Sequence, residues 1–261
     1  MGTVLGLLDL LFLVFVAVQD RYLFGGAERV VSTTGLTYAK YARRGFFEIV
    51  TVTAIALPAL LLAHWLLRAA DRRAERIFRV LAGTLVVLLV VVMASALQRM
   101  HLYVDEYGLT QLRLYVTAFM LWLAVLLAWF ILTVLWGRRD RFAFGALVTA
   151  FAAVLVINAI NPDAVVARTN LERMQDGERF NAHYLACLSA DAVPVMVEAL
   201  PAMRESDRRT IEDSIEPPSR WSGEASDWRT WNLGRARARH AVESYAAPTD
   251  HQVARVPRSE A

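Results

Sequence analysis

Long apolar runs, separated by short polar stretches, fill the chain up to about residue 160. Beyond that point apolar and polar positions alternate at helical spacing. A bilayer core needs about 20 apolar residues per helix. Five stretches meet or approach that length: residues 4–18, 45–67, 77–97, 112–136 and 142–160. The third is the plainest, with LVVLLVVVMA at its centre, and the first is the weakest, being short and interrupted by Asp9. The first has no basic leader and no small-x-small cleavage site ahead of Gln19-Asp20-Arg21, so it is read as an uncleaved helix. The pattern therefore predicts an all-α membrane bundle of five helices over residues 1–161.

The connections predicted are a long loop over 20–44, a basic turn RAADRRAER at 68–76, a polar loop over 98–111 and a tight turn GRRDR at 137–141. Five crossings put the 20–44 loop, the 98–111 loop and the tail on one side, whatever the orientation. Lys+Arg counts on the two sides are nearly equal, so the positive-inside rule alone does not choose. The two dense arginine turns are read as cytoplasmic, which places the tail outside the cytoplasm.

The tail reads as a small helical module over 162–245. Asn161-Pro162-Asp163 stops the fifth segment and is expected to cap a helix through AVVARTNLERMQ, which ends at Gly177. Asn181 opens a short helix, and Ser189 is an expected cap for ADAVPVMVEAL. RESDRRTIEDSI is predicted helical up to Pro217-Pro218. Ser226 would then cap DWRTWNLGRARARHAVESY, and residues 246–261 read as disordered. Trp221, Trp228 and Trp231 suit either the lipid–water interface or the core of the module.

Composition sharpens this division. Residues 1–161 hold 15 Lys+Arg against 9 Asp+Glu, a net of +6, and the remainder holds 13 against 16, a net of −3. Hydrophobic residues make up 56% of the chain, which excludes a mostly disordered protein. Cys187 is the only cysteine, so a disulfide scaffold and a cysteine-rich zinc site are both excluded. Lys40 is the one lysine beside 27 arginines, a bias that points to a GC-rich bacterial genome.

Three polar stretches carry the candidate chemistry. In GLTYAKYARRGFFE, Tyr41, Arg44 and Glu48 share one helical stripe, with Arg43 alongside, and Glu48 falls about one turn inside the apolar run. In RMHLYVDEYGLTQLRLY, Arg99, His101, Tyr103, Asp105, Glu106, Tyr107, Arg113 and Tyr115 crowd one connection. The third group is Asn158, Asn161, Asp163, Arg168 and Asn170. By parity all three fall on the tail side and would line one cavity there. Each also has a plainer reading. Arg44 and Glu48 suit an i,i+4 ion pair, and the second group suits a polar cap on helix ends. Trp122, Trp129 and Trp136 recur every seven residues and read as a packing or lipid-facing stripe. The histidines show no metal-ligand spacing and no nucleophile motif occurs, so neither a metal nor a cofactor is expected. Arg235, Arg237 and Arg239, flanked by tryptophans, favour lipid headgroups over nucleic acid.

GLTYAKYARRGFFE, RMHLYVDEYGLTQLRLY and NPDAVVARTNLER, with HYLACLSADAVPVMVEAL and DWRTWNLGRARAR from the tail, resemble the bacterial domain-of-unknown-function family 4173 and its close relative, family 4153. The resemblance runs to about Ala241, with Lys40 standing where the family pattern calls for an acid. It implies a multi-pass membrane protein, and relatives extended at the N-terminus by further bilayer helices. It implies no activity.

Two functions fit these features. One is a non-enzymatic envelope protein whose tail recognises a partner or envelope component, the lipid bilayer serving as anchor. The other is a membrane-embedded enzyme or carrier. There Arg43, Arg44, Arg99 and Arg113 would hold an anionic or lipid-linked substrate, and Glu48 or Asp105 would act as base.

Overall fold

A computed structural model describes residues 2–23, 72–135, 141–216 and 232–253. The described residues are all-helical, with no strand among them. They fall into two compact units, Met1–Glu106 with Tyr115–Val156, and Tyr107–Leu114 with Ile157–Ala261.

In the first unit, α1 spans Gly2–Leu23 and α2 spans Arg72–Tyr107. α3 spans Gln111–Phe130, continued by a π-helical turn Ile131–Leu135. α4 spans Phe142–Ile160. Three helices among the described residues are long and apolar enough to cross a membrane: Glu75–Tyr107, Gln111–Val134 and Phe142–Ile160. The predicted second segment, residues 45–67, lies outside the described residues.

α2 corrects the predicted 98–111 loop. The helix has 36 residues, about 54 Å at 1.5 Å per residue, well beyond a core of about 30 Å. Apolar periodicity ends where such a helix leaves lipid, but helix formation does not. The stretch QRMHLYVDEY carries no breaker, and His101 pairs with Asp105 one turn on at 2.7 Å. Gly108, at φ +76°, stops it. The real connection is residues 108–110.

Phe12 of α1 belongs to one apolar core with Phe78, Leu85 and Leu89 of α2 and Leu127 and Phe130 of α3. α4 is apolar all round, and its one buried residue is Gly145. Phe144 and Leu155 leave 73% and 69% of their surface open, as lipid-facing side chains would. Gly145 marks a close approach. A Cβ there would lie 2.1 Å from the Trp129 indole, whose Nε1–H donates to the Phe142 carbonyl at 3.3 Å. Gly145→Ala is therefore expected to lower unfolding stability in detergent by about 1–3 kcal/mol, as overpacking does. Trp129→Leu in the same chain should recover part of that loss in a thermal-unfolding comparison. Equal stability of Gly145→Ala and the native chain would rule out this contact.

In the second unit the chain turns a corner between the end of α4 and α5, Pro162–Gln175. Asn161 turns that corner at φ 60° and ψ 81° without a side-chain cap bond. It differs from the expected cap because its left-handed backbone, tolerated by asparagine, does the turning. Pro162 occupies the first turn of α5, where its missing N–H leaves no bond unmade. Gly177 follows at φ +81°. α6, Ala182–Ala186, is capped by Asn181, whose side chain accepts from the Tyr184 N–H. A short 3-10 turn, Ala190–Ala192, leads into α7, Val193–Ala199. A second such turn, Leu200–Ala202, precedes α8, Glu205–Ile215. Ser189 makes no side-chain cap, contrary to expectation. α9 runs Leu233–Val253, so it continues through Ala246, where the sequence suggests disorder. Ser226 and the tryptophans at 221, 228 and 231 lie outside the described residues.

α8 packs on α6, α9 on α7 and the Ala190–Ala192 turn, and α5 on α7. Val166, Leu185, Met196, Leu200, Ile211 and Val242 are at the centre of one continuous core. Each large side chain so buried contributes about 1.5–3 kcal/mol, which gives this small module a core of its own.

Candidate functional site

Asp163, Val166, Ala167, Asn170 and Leu171 recur at spacings of three and four, so α5 turns them all to one face. Val166, Ala167 and Leu171 enter the module core. Asp163 and Asn170, on the same face, meet the 108–110 connection and the first residue of α3, which belong to the same unit.

Asp163 is 8% exposed. Its Oδ1 accepts from the Gln111 side-chain amide. Its Oδ2 accepts from the Ser189 backbone N–H at 3.0 Å. The carboxylate therefore ties the start of α3 to the start of the Ala190–Ala192 turn. Its charge also lies in the first turn of α5, where the helix dipole favours an anion. Gln111 gives its backbone N–H to the Tyr184 hydroxyl at 2.9 Å.

Asn170 treats Leu109 as a strand treats its neighbour. Its Oδ1 accepts from the Leu109 N–H at 3.2 Å. Its Nδ2 donates to the Leu109 carbonyl at 2.7 Å and to the Val166 carbonyl at 2.7 Å. The approach is close enough that a Cβ on Gly108 would lie 2.4 Å from Asn170 Oδ1. Arg113 donates to the Gly108 carbonyl, and Thr110 caps α3 by accepting from the Arg113 N–H at 3.4 Å. Arg173, on the Gly108 side of α5, pairs with Glu178. The result is a polar clamp in which the turn between α2 and α3 is satisfied by side chains of the module.

The other sequence-predicted residues are placed as follows. Tyr41, Arg43, Arg44 and Glu48 lie outside the described residues. In the first unit Arg99 is half-buried, and Tyr103 packs against the cluster of Val92, Ala96, Met100 and Met120. Asp105 forms its exposed pair with His101. In the second unit Tyr107 is exposed at the end of α2, and Arg168 is exposed on α5. Sequence reasoning missed Gln111, Leu109 and the Ser189 backbone as partners of the third polar group, and Tyr184 as the acceptor for the Gln111 N–H. Two buried polar atoms of the first unit, Ser95 Oγ and Trp122 Nε1, have no hydrogen-bond partner among the described residues.

A family model described as a domain of unknown function, DUF4153, matches residues 1–199. This chain belongs to that family. The match falls on the second of the two families that its motifs resemble. It covers all four helices of the first unit, the clamp and α7, and ends at the last residue of α7. No curated protein and no solved structure matches the chain.

The family's matched span stops short of α8 and α9, which meet through an exposed polar contact. Tyr245 donates to Glu212 at 2.7 Å. That bond, with lesser help from burial, raises the phenol pKa above its ordinary value. Arg208 also pairs with Glu205, and Arg209 with Glu205 at 2.8 Å. Such exposed pairs contribute little to stability. Among the described residues no group of three or more His, Cys, Asp or Glu side chains is arranged to hold a metal ion.

Proposed function

We propose that this chain is a five-crossing membrane protein of the bacterial cell membrane. It presents its helical module, on the extracytoplasmic side, as a recognition surface for a protein partner or envelope component. The observation that carries this reading is the clamp. Both oxygens of Asp163 and both ends of the Asn170 amide are engaged in holding a turn to the module. Groups occupied in this way fix a surface in place and are poorly free for chemistry. α1 and residues 45–67 supply the first two crossings in this reading. Arg235 and Arg237, exposed on α9, suit acidic headgroups near that surface.

Complementation in a strain lacking its own copy of the gene separates this from catalysis. The account expects a chain without residues 177–261, inserted at normal abundance, to fail. It expects Glu48→Gln and Asp105→Asn to succeed. Full complementation by the shortened chain would overturn the recognition role. Failure of the two single variants at normal abundance would favour an enzyme or carrier acting on an anionic substrate.

A further inference from the structure

Asp9 lies in α1, three residues before Phe12 and on the same face. Phe12 is in the apolar core formed with α2 and α3. Asp9 itself is 8% exposed. Both of its carboxylate oxygens are buried, and neither has a hydrogen-bond partner among the described residues.

Among the described residues, titratable side chains of the first unit lie away from the middle of its helices, Asp9 excepted. α1 carries no other titratable side chain before Asp20. α2 carries none over 80–98, α3 none over 116–135 and α4 none over 142–160. Arg79 lies at one end of the apolar span of α2 and is paired with Glu75 at 2.7 Å. Arg99 lies at the other end. The predicted second segment, outside the described residues, carries Glu48 and His64.

An ionised carboxylate in these surroundings loses its hydration without replacement, which costs several kcal/mol even after relaxation. The neutral acid gives up far less, and an ionisable group inside a membrane span commonly marks an ion or proton pathway. We propose that Asp9 is a proton-binding site inside the apolar unit. The ligand of this site is a proton. The proposal is independent of what the module recognises.

Two measurements on the full-length protein in lipid nanodiscs test it. The first is the infrared difference between the native chain and Asp9→Asn at a mildly acidic pH at which exposed aspartates are still ionised. A carbonyl-stretch band of a protonated carboxylic acid, shifted in heavy water and lost in the variant, is expected. Absence of that band at this pH overturns the proposal. The second needs no variant. Dicyclohexylcarbodiimide, an apolar reagent, adds the acid O–H across one of its N=C bonds. The resulting O-acylisourea rearranges to a stable N-acylurea with no leaving group. The peptide containing Asp9 should gain the mass of one reagent molecule, and the modification should slow as pH rises. An unmodified Asp9 at the same mildly acidic pH overturns the proposal.

Discussion

Asp163→Ala is expected to destabilise the helical module by about 2–3 kcal/mol, the range for hydrogen bonds to a charged group whose partners are then left unpaired. The side chain removed is buried and accepts from two donors far apart in the chain. After the change the Ser189 N–H, in a half-buried setting, keeps no acceptor from this residue. Asp163→Asn should fall between Asp163→Ala and the native chain, because its amide nitrogen would face a donor where an oxygen now accepts. Gln111→Ala should cost less than Asp163→Ala, since Asp163 retains Ser189. The readout is denaturant-dependent protection of the module from proteolysis in the full-length, detergent-solubilised protein. Unchanged protection for Asp163→Ala, combined with lost complementation, would make this residue a chemical group instead of a structural one.

Gly108→Ala should be comparably damaging, at about 2–4 kcal/mol, and for two separable reasons. A φ of +76° strains any L side chain. The added methyl would also stand 2.4 Å from Asn170 Oδ1. That contact pushes the amide away from Leu109 and breaks the pair of bonds it makes there. A double-mutant cycle separates strain from collision. On an Asn170→Ala background, Gly108→Ala should cost only the backbone strain, about 1–2 kcal/mol. Additive losses in the cycle would mean that Gly108 and Asn170 do not meet as described.

Much of the helix framework was legible in the chain. The segment predicted at 142–160 coincides with α4, and the break at Asn161-Pro162 coincides with the start of α5. Both are local signals, an apolar run and a proline. The pattern misleads at residues 98–107, where polarity suggests a loop and the chain is helical. A helix leaving a bilayer keeps its backbone bonds while its side chains become polar, and only Gly108 marked the end. The clamp was half legible. Asp163 and Asn170 stood out as polar residues near an apolar boundary, but their partners Gln111 and Leu109 are 52 and 61 residues away. No periodicity encodes a contact of that range. The tryptophan stripe was visible for its part, whereas the reason for Trp129, the bare Cα of Gly145, became apparent only with the packing.

The central claim is that the turn after α2 and the helical module form one folded body, which in the proposed topology lies at a single face of the membrane. Single cysteines at Arg76, Glu106 and Ser206, each in a Cys187→Ser background, test it directly with a membrane-impermeant thiol reagent. All three native positions are exposed, and Arg76 and Glu106 lie near opposite ends of α2. The account predicts that Glu106→Cys and Ser206→Cys label together on intact cells, and that Arg76→Cys labels only after the membrane is opened. Labelling of Glu106→Cys and Ser206→Cys from opposite sides would contradict the clamp and the reading of the protein built upon it.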